Sequence, residues 1–274
     1  MSESGSKRRD RAAAARNAAQ AEERKRERLV RIIGAVTVLV VVVGIIVVAV
    51  IARGSSDSSQ TATPTEIIEG AALPAEVLAA DSDQPFGVPY GTAAADAPVL
   101  EIWEDFQCPA CAAVEQANGS GIAKLAEEGT VQLVWRPATF LDRVNEGGDP
   151  AVANSSSRAA AAWGCAIDLG KTREYHDALY ANHPANEGDG YTDEQFAAIA
   201  GESGISGADL ETFQACVADG TYLDWATNSG VSFTNSEAGG TPYAVLDGVV
   251  IENPTLADEA ALREFIANGG PAAE

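Results

Sequence analysis

Basic residues are scarce in most of this 274-residue chain. Of its 18 Lys and Arg residues, 11 lie in residues 1–53, and residues 54–274 carry the other seven against 35 Asp and Glu. That long segment has a formal charge of -28, which repels phosphate backbones and excludes nucleic acid as its partner. An apolar fraction of 46% is enough for a sizeable core, so wholesale disorder is excluded as well.

Charge is absent altogether from the 21 residues 32–52, which are mostly Val and Ile. A helix of that length spans roughly 30 Å, the thickness of the hydrocarbon core of a bilayer. The basic start and the acidic remainder predict a cytoplasmic N-terminus and a C-terminal body outside the plasma membrane. A cleaved signal peptide is the alternative, although the apolar run exceeds the usual length of about 7–15 residues. We therefore expect a tail at 1–31, a transmembrane helix at 32–52, an extension at 53–87 and a domain at 88–274.

Cysteine and histidine are too few and too scattered for a zinc site. All four cysteines follow the apolar run, in a compartment that permits disulfides: Cys108, Cys111, Cys165 and Cys216. The first two are closely spaced and the others are single, whereas four-ligand zinc sites usually combine two close pairs. The two histidines, His176 and His183, have no ligand spacing with any cysteine, and we expect both on helix surfaces. The sequence therefore predicts no metal site.

The close cysteine pair lies between a predicted strand and a predicted helix. Residues 99–103 are apolar and β-prone, and Pro109 suits the first turn of a helix over residues 109–128 because its missing N–H is not needed there. Cys108 is then placed at a helix N-terminus, where free N–H groups and the helix dipole favour a thiolate and lower the thiol pKa. Cys111, one turn later, can close a disulfide with it. This context predicts a redox-active disulfide that needs no further cofactor.

A second motif near the C-terminus reads GGTPYAVLDG and is followed by another apolar run. The apolar runs on either side of Asp247 and Gly248 predict a hairpin with a two-residue turn. Pro242 opens the first strand of that hairpin, where a proline is tolerated. A cis bond between Thr241 and Pro242 would expose the Thr241 backbone to an extended substrate segment, and an ordinary trans bond is the alternative.

EDFQCPAC and GGTPYAVLDG, about 130 residues apart, together resemble the DsbA-like branch of the thioredoxin superfamily, in its membrane-anchored Gram-positive, actinobacterial-like form. The resemblance covers roughly residues 88–268. It implies an α/β thioredoxin fold with an all-helical insertion at about 152–230, preceded by a single transmembrane helix. It also implies attack at Cys108, resolution by Cys111 and a cis proline at Pro242 that follows Thr241.

The chain departs from this family at two places. Well-known oxidants carry His in the central dipeptide, where it stabilises the thiolate, and this chain has Pro109 and Ala110. Many relatives also place a buried acid six residues before the first cysteine, a position that is Ile102 here. Glu104 lies on the same strand face and is a candidate proton relay for Cys111. A solvated carboxylate at the end of the strand is the alternative.

Helical patterns fill the chain between the two motifs, as a helical insertion requires. We expect helices at 154–169, 173–182, 196–199 behind a capping box, 208–218 and 220–229, and a last helix at 256–268. Cys165 and Cys216 fall on two helices of the insertion. A disulfide between them would close a loop of about 50 residues and stabilise the fold by roughly 4 kcal/mol. Two buried free thiols are the alternative.

These features predict a thiol–disulfide oxidoreductase, and we expect an oxidase that introduces disulfides into unfolded secreted proteins. Such an enzyme leaves each cycle as a dithiol, and the resemblance implies a quinone-linked membrane partner that reoxidises it. A reductase or isomerase of the same fold is the first alternative, because the sequence does not set the reduction potential. A non-catalytic, chaperone-like binding domain is the second.

Overall fold

The β-prone segment just before the close cysteine pair, Val99–Glu104, forms the central strand of a five-stranded sheet. The computed structural model describes residues 66–145, 148–186 and 188–270, all within one compact unit. Its strands are β1 (Val88–Tyr90), β2 (Val99–Glu104), β3 (Gln132–Pro137), β4 (Tyr243–Leu246) and β5 (Val249–Ile251). They lie in the order β1-β3-β2-β4-β5, and β2 is parallel to β3 and antiparallel to β4.

Eight helices accompany the sheet in the described part of the chain. The chain enters α1 (Pro109–Glu127) from β2, and α7 (Asn253–Leu256) and α8 (Glu259–Asn268) follow β5. Five helices between β3 and β4 form the insertion: α2 (Ser155–Asp168), α3 (Thr172–Ala181), α4 (Asp193–Glu202), α5 (Ala208–Ala218) and α6 (Leu223–Thr234). Short 3-10 turns at Phe140–Asn145 and Pro150–Val152 lead into the insertion. The thioredoxin fold with helical content is thus confirmed.

Alternation along β2 gives the sheet two different faces. On one face Trp103 packs edge-on against Phe233 of α6, and the Arg136 guanidinium lies 4.0 Å from the centre of the Trp103 ring. On the other face lie Leu100, Ile102 and Glu104, whose neighbours on β3 include Trp135. The four tryptophans all lie in the core, since Trp103, Trp135, Trp163 and Trp225 are at most 3% exposed.

The end of the chain differs from the prediction. A single last helix at 256–268 is wrong, because the chain forms α7, breaks, and restarts as α8. Asp258 causes the break: its backbone is extended, and its side chain accepts a hydrogen bond of 2.8 Å from the N–H of Ala261. An aspartate that caps a helix in this way starts a new helix instead of continuing the old one. By contrast, the capping box of Thr192 and Gln195 is confirmed.

The segment before the sheet is attached to the insertion. The amide of Asn228 on α6 pairs with both backbone groups of Ile68, at 2.7 and 2.9 Å. The tail at 1–31, the transmembrane helix at 32–52 and the first part of the extension at 53–87 lie outside the described residues. Within the described ranges, no helix has both the length and the hydropathy needed to cross a bilayer.

Candidate active site

Cys108 is the residue that caps the N-terminus of α1, at the end of the loop that leaves β2. Its backbone is extended, and Pro109 occupies the first helical position, where its ring fits and no N–H is required. The backbone N–H groups of Ala110 and Cys111, at the start of the helix, favour a negative charge on the Cys108 sulfur and lower the pKa of its thiol. The structure thus places the first cysteine of the motif at the positive end of a helix.

The local hydrogen bonds stabilise the thiolate of Cys108. Its pKa is lowered from 9.0 to about 6, first by the hydrogen bond that the Cys111 thiol donates, which outweighs the opposing effect of burial. The N–H groups of Cys111 and Ala110 lower the pKa further. Cys108 is therefore largely a thiolate at neutral pH, which is the reactive form of a cysteine.

Cys111 has the opposite properties. It is fully buried, and burial, its hydrogen bond to Cys108 and the negative charge of Glu104 raise its pKa well above the usual 9.0. A thiol of this kind attacks a disulfide only after a nearby base has taken its proton. The two cysteines of one motif are therefore chemically distinct.

The second motif lies against the first. The register of β2 and β4 pairs Trp103 with Tyr243, which brings the start of β4 beside the loop that holds Cys108. The carbonyl oxygen of Thr241 lies 3.3 Å from the Cys108 sulfur, and the Thr241–Pro242 peptide bond is cis. The backbone of Thr241 therefore borders the reactive sulfur.

Glu104 is a buried residue with a charged partner. Its carboxylate is 4% exposed and lies 3.1 Å from Nε2 of His176, so a solvated carboxylate at the end of the strand is wrong. The expected surface position of His176 is also wrong, because the residue is 1% exposed. It lies on the apolar face of α3, between Tyr175 and Leu179, both fully buried. That helical spacing is the signal in the sequence that could have placed His176 inside.

Nearby carboxylates decide the charge of His176. Burial lowers its pKa, but the carboxylates of Asp177, Glu104 and Glu115 raise the pKa from 6.5 to about 10. His176 is therefore an imidazolium at neutral pH, and it offsets the negative charge of Glu104 inside the core.

Glu115 is a further buried acid that the sequence analysis missed. It lies on α1 one turn after Cys111, a spacing that places both side chains on one face of the helix. Burial and the charge of Glu104 raise the pKa of Glu115 well above 4.5. Glu104, Glu115 and His176 lie together in the core. We call these three residues the buried triad.

The buried triad also has the spacing of a metal site. One donor atom from each residue lies within 4.8 Å of the others, and it is the one such group among the described residues. A metal ion would require His176 to lose its proton, because an imidazolium has no lone pair to give.

Asp105 fixes the loop that carries Cys108. It is fully buried and accepts hydrogen bonds from the backbone of Gln107 and Leu141 and from the Ser156 hydroxyl, at 2.9, 3.1 and 2.6 Å. Burial outweighs these hydrogen bonds and raises its pKa to about 7. Asp105 thereby joins the active-site loop to the insertion. Its position in a short loop just before the motif was a signal that the sequence analysis did not use.

The remaining two cysteines are joined. A disulfide links Cys165 of α2 to Cys216 of α5, with their Cα atoms 5.9 Å apart. That separation lies in the ordinary range for disulfides. The bond joins two helices of the insertion and lies apart from the CxxC motif, so we assign it to the structure of the insertion.

On its fold and its cysteine geometry, the molecule is of the thiol–disulfide oxidoreductase class. A family model described as thioredoxin matches residues 85–267, which is more than half of the chain. The chain therefore belongs to the thioredoxin family, and its likenesses to solved structures are to the DsbA-like members. No curated protein matches the chain at a significant level.

Three solved structures illustrate the likeness. Reduced DsbA from Mycobacterium tuberculosis is 25% identical with a TM-score of 0.53, over 66% of this chain and 91% of that chain. MdbA from Actinomyces oris, a thiol-disulfide oxidoreductase, is 23% identical with a TM-score of 0.58, over 72% and 92%. MdbA from Corynebacterium diphtheriae is 23% identical with a TM-score of 0.53, over 70% and 95%. The two MdbA proteins show the shared fold.

Proposed function

We propose that this thiol–disulfide oxidoreductase is an oxidase, which introduces disulfides into unfolded secreted proteins through Cys108 and Cys111. The opposite perturbation of these two thiols carries the proposal: the pKa of Cys108 is lowered to about 6, and that of Cys111 is raised. A thiol of low pKa is a good leaving group, so a disulfide that contains it is readily passed to another protein.

The exchange proceeds in two steps from the oxidised enzyme. A substrate thiolate attacks the Cys108 sulfur, a mixed disulfide forms, and the bond to Cys111 breaks. Cys111 leaves as a thiolate and takes a proton. A second substrate thiolate then attacks the substrate sulfur of the mixed disulfide and expels Cys108 as a thiolate. The substrate gains one disulfide, and the enzyme gains the two electrons and ends as the dithiol.

The proton of Cys111 needs a carrier because this thiol is fully buried. We assign that role to Glu104, whose charge acts directly on the thiol. Pro109 and Ala110 shape the first turn and leave the Cys108 sulfur to the backbone N–H groups. Thr241 and Pro242 would align the extended substrate beside that sulfur.

In this proposed role the domain lies outside the plasma membrane, and a transmembrane helix at 32–52 anchors it there. The support is the contrast between 11 basic residues in the first 53 and the charge of -28 after them. Net oxidation of substrates requires an acceptor for the electrons, and we propose a quinone-linked membrane partner for this step.

The alternative is a reductase or isomerase, and the central dipeptide favours it. Pro109 and Ala110 offer no side-chain charge to the thiolate, unlike a histidine, which would make the disulfide more oxidising. The reduction potential of the Cys108–Cys111 pair distinguishes the two directions.

Trapping of substrates tests the exchange itself. In a Cys111→Ser variant expressed in cells, mixed disulfides with Cys108 should accumulate, because Cys111 is no longer present to attack and break them. We expect mixed-disulfide adducts on non-reducing gels that disappear on reduction. A Cys108→Ser, Cys111→Ser variant is the matched control and should trap nothing. If the single variant traps no more than the double variant, exchange through Cys108 is refuted.

A further inference from the structure

The 3-10 turn at Phe140–Asn145 lies beside the active-site loop and carries a cation, Arg143. The backbone N–H of Leu141 donates a hydrogen bond of 3.1 Å to Asp105, in the loop that carries Cys108. Arg143 is two residues further along the chain, and its Cα atom is at most about 7 Å from that of Leu141. The turn therefore places Arg143 at the edge of the active site.

Asp142 precedes Arg143 in the sequence but does not pair with it. Its carboxylate accepts hydrogen bonds from the N–H groups of Ser156 and Ser157 at the start of α2, at 2.7 and 3.2 Å, and from the Ser157 hydroxyl. Arg143 is exposed, and so is its other neighbour, Val144. The turn is therefore held to the insertion by Asp142, while Arg143 stays accessible to a partner.

Arg143 differs in its contacts from the other basic residues of the described ranges. Each of the other six has a carboxylate oxygen within 3.8 Å: Lys124, Arg136, Arg158, Lys171, Arg173 and Arg263. Arg143 forms no ion pair with any described residue. In a segment with a formal charge of -28, a cation without an acidic partner is the exception, and it lies next to the reactive cysteine's loop.

An aromatic ring supports the Arg143 side chain. The guanidinium carbon lies 4.8 Å from the centre of the Phe140 ring, and Phe140 stacks on Phe233 of α6 with ring centres 5.3 Å apart. Tyr243, the residue after Pro242, packs against the same cluster. A guanidinium over an aromatic face keeps the N–H donors at its edge for hydrogen bonds. These donors are therefore held near the start of β4, where the cis proline lies.

We propose that Arg143 binds an acidic side chain of the substrate, close in sequence to the cysteine that attacks Cys108. The inference rests on the proposed exchange at Cys108 and adds a substrate class to it. A carboxylate matches the edge of a guanidinium with two parallel hydrogen bonds, which makes arginine a selective partner for Asp and Glu. Substrate segments with an acid near the cysteine therefore react faster than segments without one, although the surface around the site is acidic.

Peptides with two cysteines test this contact in the full-length protein, purified in detergent and oxidised. Each peptide reduces the Cys108–Cys111 disulfide and leaves with its own disulfide, so two electrons and two protons pass to the enzyme. One set carries a single Glu at each position up to five residues from the cysteine pair, which covers roughly 17 Å of extended chain. A second set carries Gln at the same positions. Acid quenching, alkylation and mass spectrometry give the second-order rate constant for each peptide.

The wild type should oxidise the best Glu peptide about two- to fivefold faster than its Gln counterpart, the range expected for an exposed ion pair. That ratio should fall towards one in 1 M salt, which screens the charges. Arg143→Gln should bring the ratio to one at low salt, and Arg143→Glu should bring it below one, because the new charge repels the acid.

Arg263→Gln is the matched control, because it removes the same charge at a distance from the site. Arg263 of α8 pairs with Glu128 at the C-terminal end of α1, whereas Cys108 lies at the N-terminal end. α1 has 19 residues and is therefore about 28 Å long. Arg263→Gln should keep the wild-type ratio of the two rates.

Equal rates for every Glu and Gln pair in the wild type would overturn the inference and leave the exchange intact. A ratio that Arg143→Gln leaves unchanged would overturn it as well. A wild-type protein that oxidises none of the peptides would remove the proposed function, and this inference with it. The comparison of peptides on the wild type needs no variant, so it decides even if a variant at Arg143 fails to fold.

Discussion

The groups around Cys108 lower the pKa of its thiol and so change its reactivity. The first cause of its low pKa is the thiol of Cys111, which donates a hydrogen bond to the thiolate. Alkylation of the reduced protein by iodoacetamide at a series of pH values reports the titration of Cys108, since Cys111 is fully buried. We expect a single inflection near pH 6, the value to which the pKa is lowered.

The rate at neutral pH follows from two opposing factors. With a pKa lowered from 9.0 to about 6, the thiolate fraction at pH 7 rises from about 1% to about 90%. Intrinsic nucleophilicity falls with pKa, with a Brønsted slope of about 0.4–0.5, which costs roughly 20-fold over three units. The net effect is alkylation about four times faster than that of an ordinary thiol at pH 7.

Removal of the donor should reverse much of this shift. In Cys111→Ala the first cause of the low pKa is absent, so the inflection should move to higher pH. Cys111→Ser keeps a hydroxyl donor and should lie between the two. An inflection above pH 8 in the wild type, or one that Cys111→Ala does not move, would refute this account of the site.

Two further predictions concern stability. The pKa of Glu115 is raised well above 4.5 in the folded state, so wild-type stability should fall as pH rises above the pKa of the unfolded chain. Glu115→Gln should remove this loss, so its stability relative to the wild type should rise between pH 5 and pH 8, in urea unfolding at both values. A difference that is the same at both pH values would contradict the raised pKa of Glu115. Replacing both Cys165 and Cys216 by Ala should lower the unfolding free energy by about 4 kcal/mol for a separation of 51 residues, measured by denaturation beside the wild type. Unchanged stability would show that the disulfide does not constrain the unfolded chain.

Local patterns predicted the part of the site that depends on neighbours in sequence. The strand, the loop and the helix around Cys108 follow from residues within one short segment, and so does the capping box at Thr192. The break before α8 was missed although it is local, because Asp258 fits a helix by periodicity and breaks it by capping.

The buried triad could not be predicted in the same way. Glu104 and His176 are 72 residues apart, and their contact depends on how the insertion packs on the sheet. The periodicity of α3 places His176 on an apolar face, but a helix pattern does not say which side chain lies opposite. The role of Glu104 therefore stayed open between a relay and a solvated carboxylate until its partner was known.

The reduction potential of the Cys108–Cys111 pair tests the central claim most directly. Equilibration of the purified protein with glutathione buffers, read by thiol alkylation, gives this value. The stabilised thiolate of Cys108 predicts a potential more oxidising than the thioredoxin value of about -270 mV, in the direction of the DsbA value of about -120 mV. A potential near the thioredoxin value of about -270 mV would contradict the oxidase and would assign the protein to the reductases.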